Sequence, residues 1–379
     1  MENIYIPQKQ LENLRNLIKP NKVIIIYGPR RCGKTTLLKK FLEGIREKYL
    51  LVQGEDIFVQ EYLSSQSIIK LKNFIGDHKL LAIDEAQRIV NIGLNLKLIV
   101  DNIERIKVIT TGSASFDLYQ KLGEPLTGRK ITLCLFPLAQ LELSKIEKPH
   151  ETRANLETRL IFGSYPETIL AKDDKERIFY LKELMNSYLC KDILEMNGLR
   201  HSEKLVKILQ LLAFQIGQEV SFSEIAASIG LNKKTIERYL DLLEKVFVIF
   251  KLKGFSRNLR KEVSKNPKYY FYDLGVRNAL INNFNPINLR NDIGALWENY
   301  LISERIKKQE YLNLQANNYF WRTYDRKEID FIEEREGKLF AFEFKWKKEK
   351  VSLPSDFITA YPSSEFLVIS KENYLEFIN

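Results

Sequence analysis

Residues 28–35, with the sequence Gly-Pro-Arg-Arg-Cys-Gly-Lys-Thr, constrain the fold of this 379-residue chain more than any other segment. They follow the apolar run 23–27, which has the length of a buried strand, and a helical pattern begins at Lys34. Glycines in such a turn let consecutive backbone N–H groups point at one phosphate group, beside a helix start whose dipole favours negative charge. The segment therefore predicts a phosphate-binding loop between a strand and a helix. Further short apolar runs at 50–52, 80–83 and 107–111 are flanked by helical patterns, and strands that alternate with helices predict a parallel sheet.

The residue types of this loop, which match the Walker A pattern, point to ATP bound together with Mg²⁺. We expect Lys34 to bridge the β- and γ-phosphates and the hydroxyl of Thr35 to ligate the metal ion. We also expect contacts to the nucleotide from the other residues of the loop and from Ser113, at the end of a later predicted strand. The predicted nucleotide-binding residues are Gly28, Pro29, Arg30, Arg31, Cys32, Gly33, Lys34, Thr35, Thr36 and Ser113.

A second motif, the acidic Walker B pattern, follows the apolar run 80–83. A buried strand there would deliver Asp84 to its carboxyl end, where ligands bind in open α/β sheets. We expect Asp84 to hold the Mg²⁺ shell and Glu85 to orient or deprotonate the attacking water. Because an adjacent second carboxylate is typical of hydrolases, the sequence predicts an ATPase.

Two further polar positions are candidates, each with an open alternative. The apolar run 107–111 ends in Thr111-Gly112-Ser113, where a polar side chain could sense the γ-phosphate or simply end the strand. Arg129 follows Gly128 on a loop and could reach a neighbouring subunit's nucleotide as an arginine finger. It could equally be a surface cation. We therefore expect a homo-oligomer, and the catalytic candidates are Lys34, Asp84, Glu85 and Arg129.

Composition and length narrow the class of protein. Hydrophobic residues make up 45% and charged residues 28% of the chain, as in globular proteins of roughly two to four domains. Its apolar runs fall far short of the ~18–20 residues that a membrane helix needs, and Met1-Glu2-Asn3-Ile4 does not begin a secretion signal. Three scattered cysteines indicate neither a disulfide framework nor a zinc site. We expect a cytoplasmic protein without a membrane partner.

Residues 223–245 have the pattern of a helix, a turn at Gly230 and a second helix that Asn232 would cap. Ile236, Leu240 and Leu243 share the apolar face of that second helix. A strand at 246–251 follows, so the segment predicts a winged helix, whose second helix commonly enters the DNA major groove. The side chains expected to face away from the apolar stripe are Lys233, Lys234, Thr235, Arg238 and Tyr239.

Positive charge favours a nucleic-acid partner for this segment. The chain has a formal net charge of +10, and residues 251–268 contain seven basic residues against Glu262 alone. Such a concentration is typical of a surface that binds a polyanion. A solvated loop and a winged helix used for protein packing are the alternatives. The candidate contacts to duplex or branched DNA are Lys233, Lys234, Thr235, Arg238, Lys251, Lys253 and Arg257.

The last part of the chain contains a weaker candidate site. A predicted strand at 339–346 would bury one face through alternating aromatic residues, Phe340, Phe342, Phe344 and Trp346. A turn at Gly337 would make the preceding strand its hairpin neighbour, so Asp330 and Glu343 could share a divalent ion. Lys345 would polarise the attacking water or stabilise the developing phosphate charge, and Glu298 could add a third carboxylate. An edge strand with solvated charges is the alternative.

Taken in order, these motifs resemble a widespread family of prokaryotic AAA-type ATPases, in which a P-loop ATPase core precedes a winged helix and a restriction-endonuclease-like domain. The resemblance covers essentially the full length. The family usually has a second glycine where Ser164 stands here, which affects a turn. The resemblance is carried by residues 28–35, 80–85, 111–113, 128–129, 163–166, 269–275, 297–298, 328–330 and 343–345.

The resemblance implies an α/β fold with a RecA-like core, a helical lid, a winged helix and an α/β restriction-endonuclease-like domain. It also implies that Lys34, Thr35 and Asp84 bind the nucleotide and that Glu85 activates water. Nuclease activity stays open, because such domains are often inactive in this architecture. The corresponding ranges are 1–137 for the core, 138–200 for the lid, 201–270 for the winged helix and 271–379 for the last domain.

Together these patterns predict an ATP-hydrolysing, DNA-binding protein that couples hydrolysis to DNA remodelling or translocation. The alternative is an ATP-gated signalling or assembly switch that binds a protein partner, with a non-catalytic winged helix and nuclease-like fold. The two hypotheses differ in one measurable property. DNA should stimulate ATP hydrolysis only in the first.

Overall fold

The computed structural model describes residues 5–113, 126–187, 202–257, 266–323 and 327–379. The chain divides into two compact units. The first contains Met1–Leu138 and Lys245–Phe247, and the second contains most of the chain from Ala139 onwards. No helix in the described part of the chain combines the length and the apolar character needed to cross a membrane.

The first unit is built on a five-stranded parallel sheet with the order β2-β3-β4-β1-β5. This confirms the parallel sheet predicted from strands alternating with helices. The register places the carboxyl ends of β1, β3 and β4 side by side. The strands are β1 Lys22–Gly28, β2 Tyr49–Gln53, β3 Leu80–Asp84, β4 Lys107–Ser113 and β5 Lys130–Cys134.

Both faces of this sheet are covered by apolar side chains. Along β1, Val23 and Ile25 enter one hydrophobic cluster, whereas Ile24 and Ile26 enter the other. Successive side chains of a strand point to opposite faces, so a strand covered on both sides is apolar throughout. The described helices of this unit are α1 Gln10–Leu17, α2 Lys34–Leu42, α3 Ile57–Leu63, α4 Ile68–Ile75 and α5 Ile92–Asn102.

The second unit begins with helices. The predicted cap of the second helix in the 223–245 segment is confirmed, because Asn232 Oδ1 accepts a hydrogen bond from the backbone N–H of Thr235 at 2.8 Å. The helices described in this unit are α6 Gln140–Leu143, α7 Pro149–Ala154, α8 Leu156–Phe162, α9 Pro166–Leu170, α10 Asp174–Ser187, α11 Ser202–Phe214, α12 Phe222–Ile229, α13 Lys233–Lys245, α14 Leu274–Leu280, α15 Ile293–Leu312, α16 Ser355–Ala360 and α17 Tyr374–Ile378.

A six-stranded mixed sheet forms the rest of the second unit, with the order β11-β10-β9-β8-β6-β7. The strand after α13 pairs with β7 antiparallel and with β8 parallel, so it joins the same sheet as the last strands of the chain. The residue 270/271 junction proposed from the sequence lies inside β7. The strands are β6 Ile249–Gly254, β7 Lys268–Phe271, β8 Asn317–Arg322, β9 Glu328–Arg335, β10 Lys338–Phe344 and β11 Glu365–Ile369.

Strands β9 and β10 form the predicted hairpin, closed by Glu336 and Gly337, which both have positive φ. The burial pattern of β10 differs from the expected one-sided pattern. Ala341 is as buried as Phe342, whereas Phe340 is only half-buried. The reason is that a hydrophobic cluster containing Ala341 covers the other face of the strand. Strand β10 is therefore buried from both sides over part of its length.

Candidate functional site

The loop between β1 and α2 requires glycine at its first position. Gly28 has a φ of 154°, and a Cβ atom there would lie 1.9 Å from the carbonyl oxygen of Leu135. The loop ends at Gly33, whose φ of 98° falls in a region that other residues rarely adopt. Side chains at either position would force the loop to change shape. The remaining predicted nucleotide contacts, Pro29, Arg30, Arg31, Cys32 and Thr36, lie in this loop and the first turn of α2.

Lys34, the first residue of α2, is buried against the loop itself. Its Nζ atom donates hydrogen bonds to the carbonyl oxygens of Gly28 at 3.1 Å and Pro29 at 2.6 Å. The side chain is only 6% exposed. The ammonium group is therefore held within the concave loop in which backbone N–H groups would receive a phosphate.

Two hydroxyl groups converge on the carboxylate of Asp84, at the carboxyl end of β3. Thr35 Oγ1 lies 2.9 Å from Oδ2 and 3.1 Å from Oδ1 of Asp84. Thr111 Oγ1, from the end of β4, also donates to Asp84 Oδ1. Asp84 is only 4% exposed. Hydroxyl and carboxylate oxygens are the donors that Mg²⁺ prefers, so Thr35 and Asp84 fit a nucleotide-bound magnesium ion.

Glu85 follows Asp84 in a left-handed conformation, with a φ of 54°. Its backbone N–H donates to Thr111 Oγ1 at 3.1 Å, and its carboxylate accepts a hydrogen bond from the side-chain amide of Gln87. Thr111 therefore contacts both acidic residues. The sequence singled out the segment 111–113 but committed to Ser113, whose side chain lies outside the described part of the structure. Alternation along a strand gave no reason to prefer Thr111.

A residue before the first helix also supports the loop. Gln8 is buried, and its Nε2 atom donates to the carbonyl oxygen of Cys32 at 3.3 Å. A Cβ atom on Gly33 would lie 2.8 Å from the same nitrogen. This contact spans 24 residues and leaves no periodic signal in the sequence, so it was missed.

Arg129 has a partner of its own within the first unit. Its Nε atom lies 2.6 Å from Asp101 Oδ1, and both side chains are partly exposed. The structure therefore does not bring Arg129 to Asp84 or Glu85 through any described contact. The role of an arginine finger for a neighbouring subunit stays a prediction.

The second unit contains a partly buried ionic cluster that includes all four sequence candidates of the last domain. Asp330 Oδ2 accepts a hydrogen bond from the backbone N–H of Phe344 at 2.8 Å, and Lys345 Nζ lies 2.9 Å from Glu343 Oε1. Burial and the charges of Glu298 and Glu343 raise the pKa of Asp330 well above its usual value. Glu298, Asp330 and Glu343 are therefore close enough to influence one another electrostatically.

Lys268, which the sequence reasoning did not single out as a site residue, lies in this cluster. Its Nζ atom lies 3.3 Å from Glu298 Oε1 and forms an ion pair with Glu328. Burial lowers the pKa of Lys268, but the carboxylates of Glu298 and Glu328 outweigh it and raise the pKa to about 12. Within the described ranges, no group of three or more histidine, cysteine, aspartate or glutamate side chains is arranged to hold a metal ion.

The candidate DNA contacts lie on α13, on β6 and just beyond β6. Lys233, Lys234 and Arg238 are exposed on α13, and Thr235 is half-buried with its hydroxyl donating to Asn232 Oδ1 at 2.9 Å. On β6 the exposed residues Lys251 and Lys253 flank buried Leu252. Exposed Arg257 places its guanidinium 5.5 Å from the ring of Tyr361.

One orientation on α13 was predicted wrongly. Tyr239 is only 4% exposed, although we expected it to face away from the apolar stripe. It lies three residues after Ile236, and residues three apart share one face of a helix. The apolar stripe of α13 is therefore wider than we expected from its three aliphatic residues alone. Tyr239 is part of that stripe and is not available to a partner.

Comparison with protein families supports an AAA-type ATPase. The family model of an AAA domain matches residues 20–144. Two models of domains of unknown function, DUF8612 and DUF4143, match residues 153–287 and 293–376. The first unit thus combines a P-loop ATPase-like fold with a matching family model, whereas the other two matches name no activity.

Similar proteins occur in bacteria and archaea. An uncharacterized protein of Mycobacterium tuberculosis is 26% identical over 90% of this chain and 73% of its own length. A relative from Haemophilus influenzae is 26% identical over 86% of this chain and 82% of its own length. A relative from Methanocaldococcus jannaschii is 23% identical over 88% of this chain and 77% of its own length. All three align across both units of the chain.

Two solved structures are similar to parts of the chain. A Walker-type ATPase of Pyrococcus abyssi is 17% identical, with a TM-score of 0.46, over 72% of this chain and 93% of that one. The RuvB Holliday junction branch migration motor of Thermotoga maritima is 16% identical, with a TM-score of 0.33, over 69% of this chain and 96% of that one. With both TM-scores below 0.5, neither structure informs the function of this chain.

Proposed function

We propose that this protein binds and hydrolyses ATP with Mg²⁺ and couples hydrolysis to remodelling of, or movement along, DNA. The observation that carries the ATPase part is the convergence of Thr35 and Thr111 on the Asp84 carboxylate, beside Lys34 and Glu85. These residues come from three neighbouring elements at one end of a parallel sheet, where such folds bind their ligands.

Each residue has a separate task in this proposal. Lys34 provides a fixed positive charge for the β- and γ-phosphates, and its present carbonyl partners hold it at the loop. Thr35 and Asp84 would hold the metal ion. Mg²⁺ bound with ATP would neutralise charge that develops on the phosphate oxygens.

Glu85 would orient and activate the attacking water. Its left-handed backbone conformation is supported by the N–H contact to Thr111, and Gln87 holds the carboxylate. A carboxylate that is held by neighbours and remains only half-buried can accept a proton from water without a large rearrangement. This arrangement favours hydrolysis over nucleotide binding alone.

The proposed DNA partner rests on residues 201–270, for which we propose a winged helix. Three helices, α11, α12 and α13, precede the antiparallel pair β6–β7, and Glu219 forms a further bridge to Lys268. This order is typical of a winged helix. Exposed cations on α13 and β6 would contact phosphates, which supply most of the sequence-independent affinity for DNA.

For residues 271–379 we propose a restriction-endonuclease-like fold. Support comes from the β9–β10 hairpin, which carries Asp330 and Glu343-Phe344-Lys345, and from α15, which carries Glu298. In the ATP-dependent function proposed here, this domain would contribute to contact with DNA. Whether this domain cleaves DNA is a separate question, because it depends on which cation the carboxylates around Asp330 and Glu343 bind.

The proposal is tested by the ATPase rate of the full chain alone and with duplex, single-stranded or branched DNA. We expect hydrolysis without DNA and stimulation by at least one of the three forms. No hydrolysis would contradict the ATPase assignment. Hydrolysis that no DNA changes, with no DNA binding at low salt, would contradict the DNA coupling and favour the ATP-gated assembly switch.

A further inference from the structure

We propose that four partly buried carboxylates of the second unit already have their cation, Lys268, and that the second unit therefore does not use a divalent metal ion at this position. We call Glu298, Glu328, Asp330 and Glu343 the carboxylate cluster. In a nuclease-like domain, two carboxylates on neighbouring strands, here Asp330 and Glu343, would ordinarily be expected to bind one metal ion together. The surroundings of Lys268 disagree with that expectation.

The first argument is the position of the Lys268 ammonium group. Lys268 is only 1% exposed, lies 3.3 Å from Glu298 Oε1 and forms an ion pair with Glu328. Its Nζ atom also lies 5.2 Å from the ring centre of Phe320, which is fully buried. Two carboxylates and an aromatic face therefore surround one ammonium group, as expected for a cation that the fold itself provides.

The second argument concerns the oxygen atoms that a metal ion would need. Glu298 Oε1 accepts from both Lys268 and the hydroxyl of Tyr270. Asp330 Oδ2 accepts from a backbone N–H, and Glu343 Oε1 accepts from Lys345. A divalent ion demands several oxygen ligands at about 2.0–2.6 Å, and these three oxygen atoms could ligate one only in competition with their present donors. An ion bound by Glu298 or Glu328 would also lie close to the Lys268 ammonium group and be repelled by it.

The third argument is where the cation comes from. Lys268 begins β7, which pairs with β6 and bridges to Glu219, so it belongs to the segment that precedes the hairpin. Removal of residues before 271 would therefore remove the cation and leave the carboxylates uncompensated. A metal site found in such a fragment would not describe the full chain, and the test requires the full-length protein.

The consequence is functional. Without a metal ion between Asp330 and Glu343, the hairpin cannot activate water by the metal-dependent route expected for a nuclease, and Lys345 serves as an ion-pair partner of Glu343. The second unit would then act on DNA by contact and shape rather than by metal-dependent cleavage. This inference does not depend on ATP hydrolysis.

The experiment measures thermal unfolding and Mn²⁺ binding of the nucleotide-free full chain. Four proteins are compared: the parent, Asp330→Asn, Lys268→Met, and Lys268→Met combined with Glu298→Gln. All four share the first unit, so differences between them report the carboxylate cluster. We expect parent and Asp330→Asn to bind the same amount of Mn²⁺, because the cluster contributes no metal site.

Lys268→Met should be destabilised without metal and should gain one Mn²⁺ site together with a rise in Tm of several degrees, by mass action. Adding Glu298→Gln should recover part of the lost Tm and weaken the new Mn²⁺ response. If Lys268→Met does not fold, the double variant tests the same charge balance. It loses the Lys268 ammonium group and the Glu298 carboxylate together, so no additional negative charge is left uncompensated.

Two results would overturn the proposal. Mn²⁺ binding or metal-dependent nicking of DNA by the parent that is lost in Asp330→Asn would show that the cluster holds a metal ion beside Lys268. A folded Lys268→Met or double variant with the parent's Tm and no new Mn²⁺ response would show that Lys268 does not act as the cluster's cation.

Discussion

Lys34 and Glu85 have different tasks in the proposed reaction, and single substitutions should separate them. Lys34→Ala removes the charge for the phosphates and should abolish ATP binding. Glu85→Gln keeps the shape but loses the base, so ATP binding should persist while kcat falls by at least about 100-fold. Calorimetry of the full chain measures ATP binding, and the rate of phosphate release measures kcat. Parent-like turnover in Glu85→Gln would show that another group activates the water.

Thr111 connects the two acidic residues, because its hydroxyl donates to Asp84 and accepts from the N–H of Glu85. Thr111→Val keeps the volume and removes both contacts. A hydrogen bond to a charged group contributes about 1.5–3 kcal/mol, so kcat should fall by roughly 10- to 100-fold, with ATP affinity less affected.

Thr110 is the matched control for this prediction. It lies on the same strand, is fully buried, and its hydroxyl has no hydrogen-bond partner in the described structure. Thr110→Val should therefore leave kcat unchanged. Equal losses in the two variants would indicate a general effect on β4 rather than positioning of Asp84 and Glu85.

At the scale of elements, α13 provides a test of the proposed DNA surface. Lys233 and Lys234 are exposed in its first turn. If both contact phosphates, Lys233→Gln with Lys234→Gln should weaken DNA binding and flatten the log–log salt dependence by roughly 1.8, about 0.9 per contact. Fluorescence anisotropy with labelled duplex over a salt series measures this slope.

The control changes two lysines on another helix. Lys70 and Lys72 are exposed on α4 of the first unit. Replacing both with glutamine changes the net charge by the same amount and should leave the slope close to that of the parent. If the two pairs behave alike, binding depends on the overall charge of the protein, and α13 has no special part in it.

At the scale of the whole molecule, Lys308 connects stability to pH. Lys308 lies on α15 and is 9% exposed, and its Nζ atom donates to the carbonyl oxygens of Glu376 and Phe377 at 3.3 and 3.2 Å. Burial and then the charge of Arg305 lower the pKa of Lys308 to about 8. The folded state therefore binds fewer protons than the unfolded state between about pH 8 and 10.5.

Fewer protons on the folded state mean that the Lys308 contribution to the free energy of unfolding rises with pH across this window. The rise should amount to at most about 3 kcal/mol. Lys308→Met should remove it, and Lys338→Met, at an exposed position, should not. Chemical denaturation between pH 7 and 10.5 measures the difference. Identical pH profiles for Lys308→Met and the parent would contradict the lowered pKa.

The amino-acid sequence was sufficient where function depends on neighbours along the chain. The strand–loop–helix context around Lys34, the strand that ends at Asp84 and the Asn232 cap were all predicted, since each depends on residue type and local spacing. The parallel character of the first sheet followed from alternating strands and helices. These features are local, so the printed sequence contains what is needed to infer them.

Contacts between distant segments were decided only in the tertiary structure. Gln8 reaches the loop from outside any motif, and Thr111 contacts Asp84 because β3 and β4 are parallel neighbours in the sheet. Lys268 reaches Glu298 because β7 joins the terminal sheet through β6. No period or spacing in the sequence encodes these pairings.

The hairpin shows both contributions in one element. Residue alternation and the turn at Gly337 predicted β9 and β10, and the structure confirms their antiparallel pairing. On the other side of β9, however, Tyr319 pairs with Ile332 and Trp321 with Ile329, so three steps along β9 match two along β8. Such a bulge changes which face later side chains occupy. The sequence determined that Asp330 lies on a strand, and strand pairing decided which charges surround it.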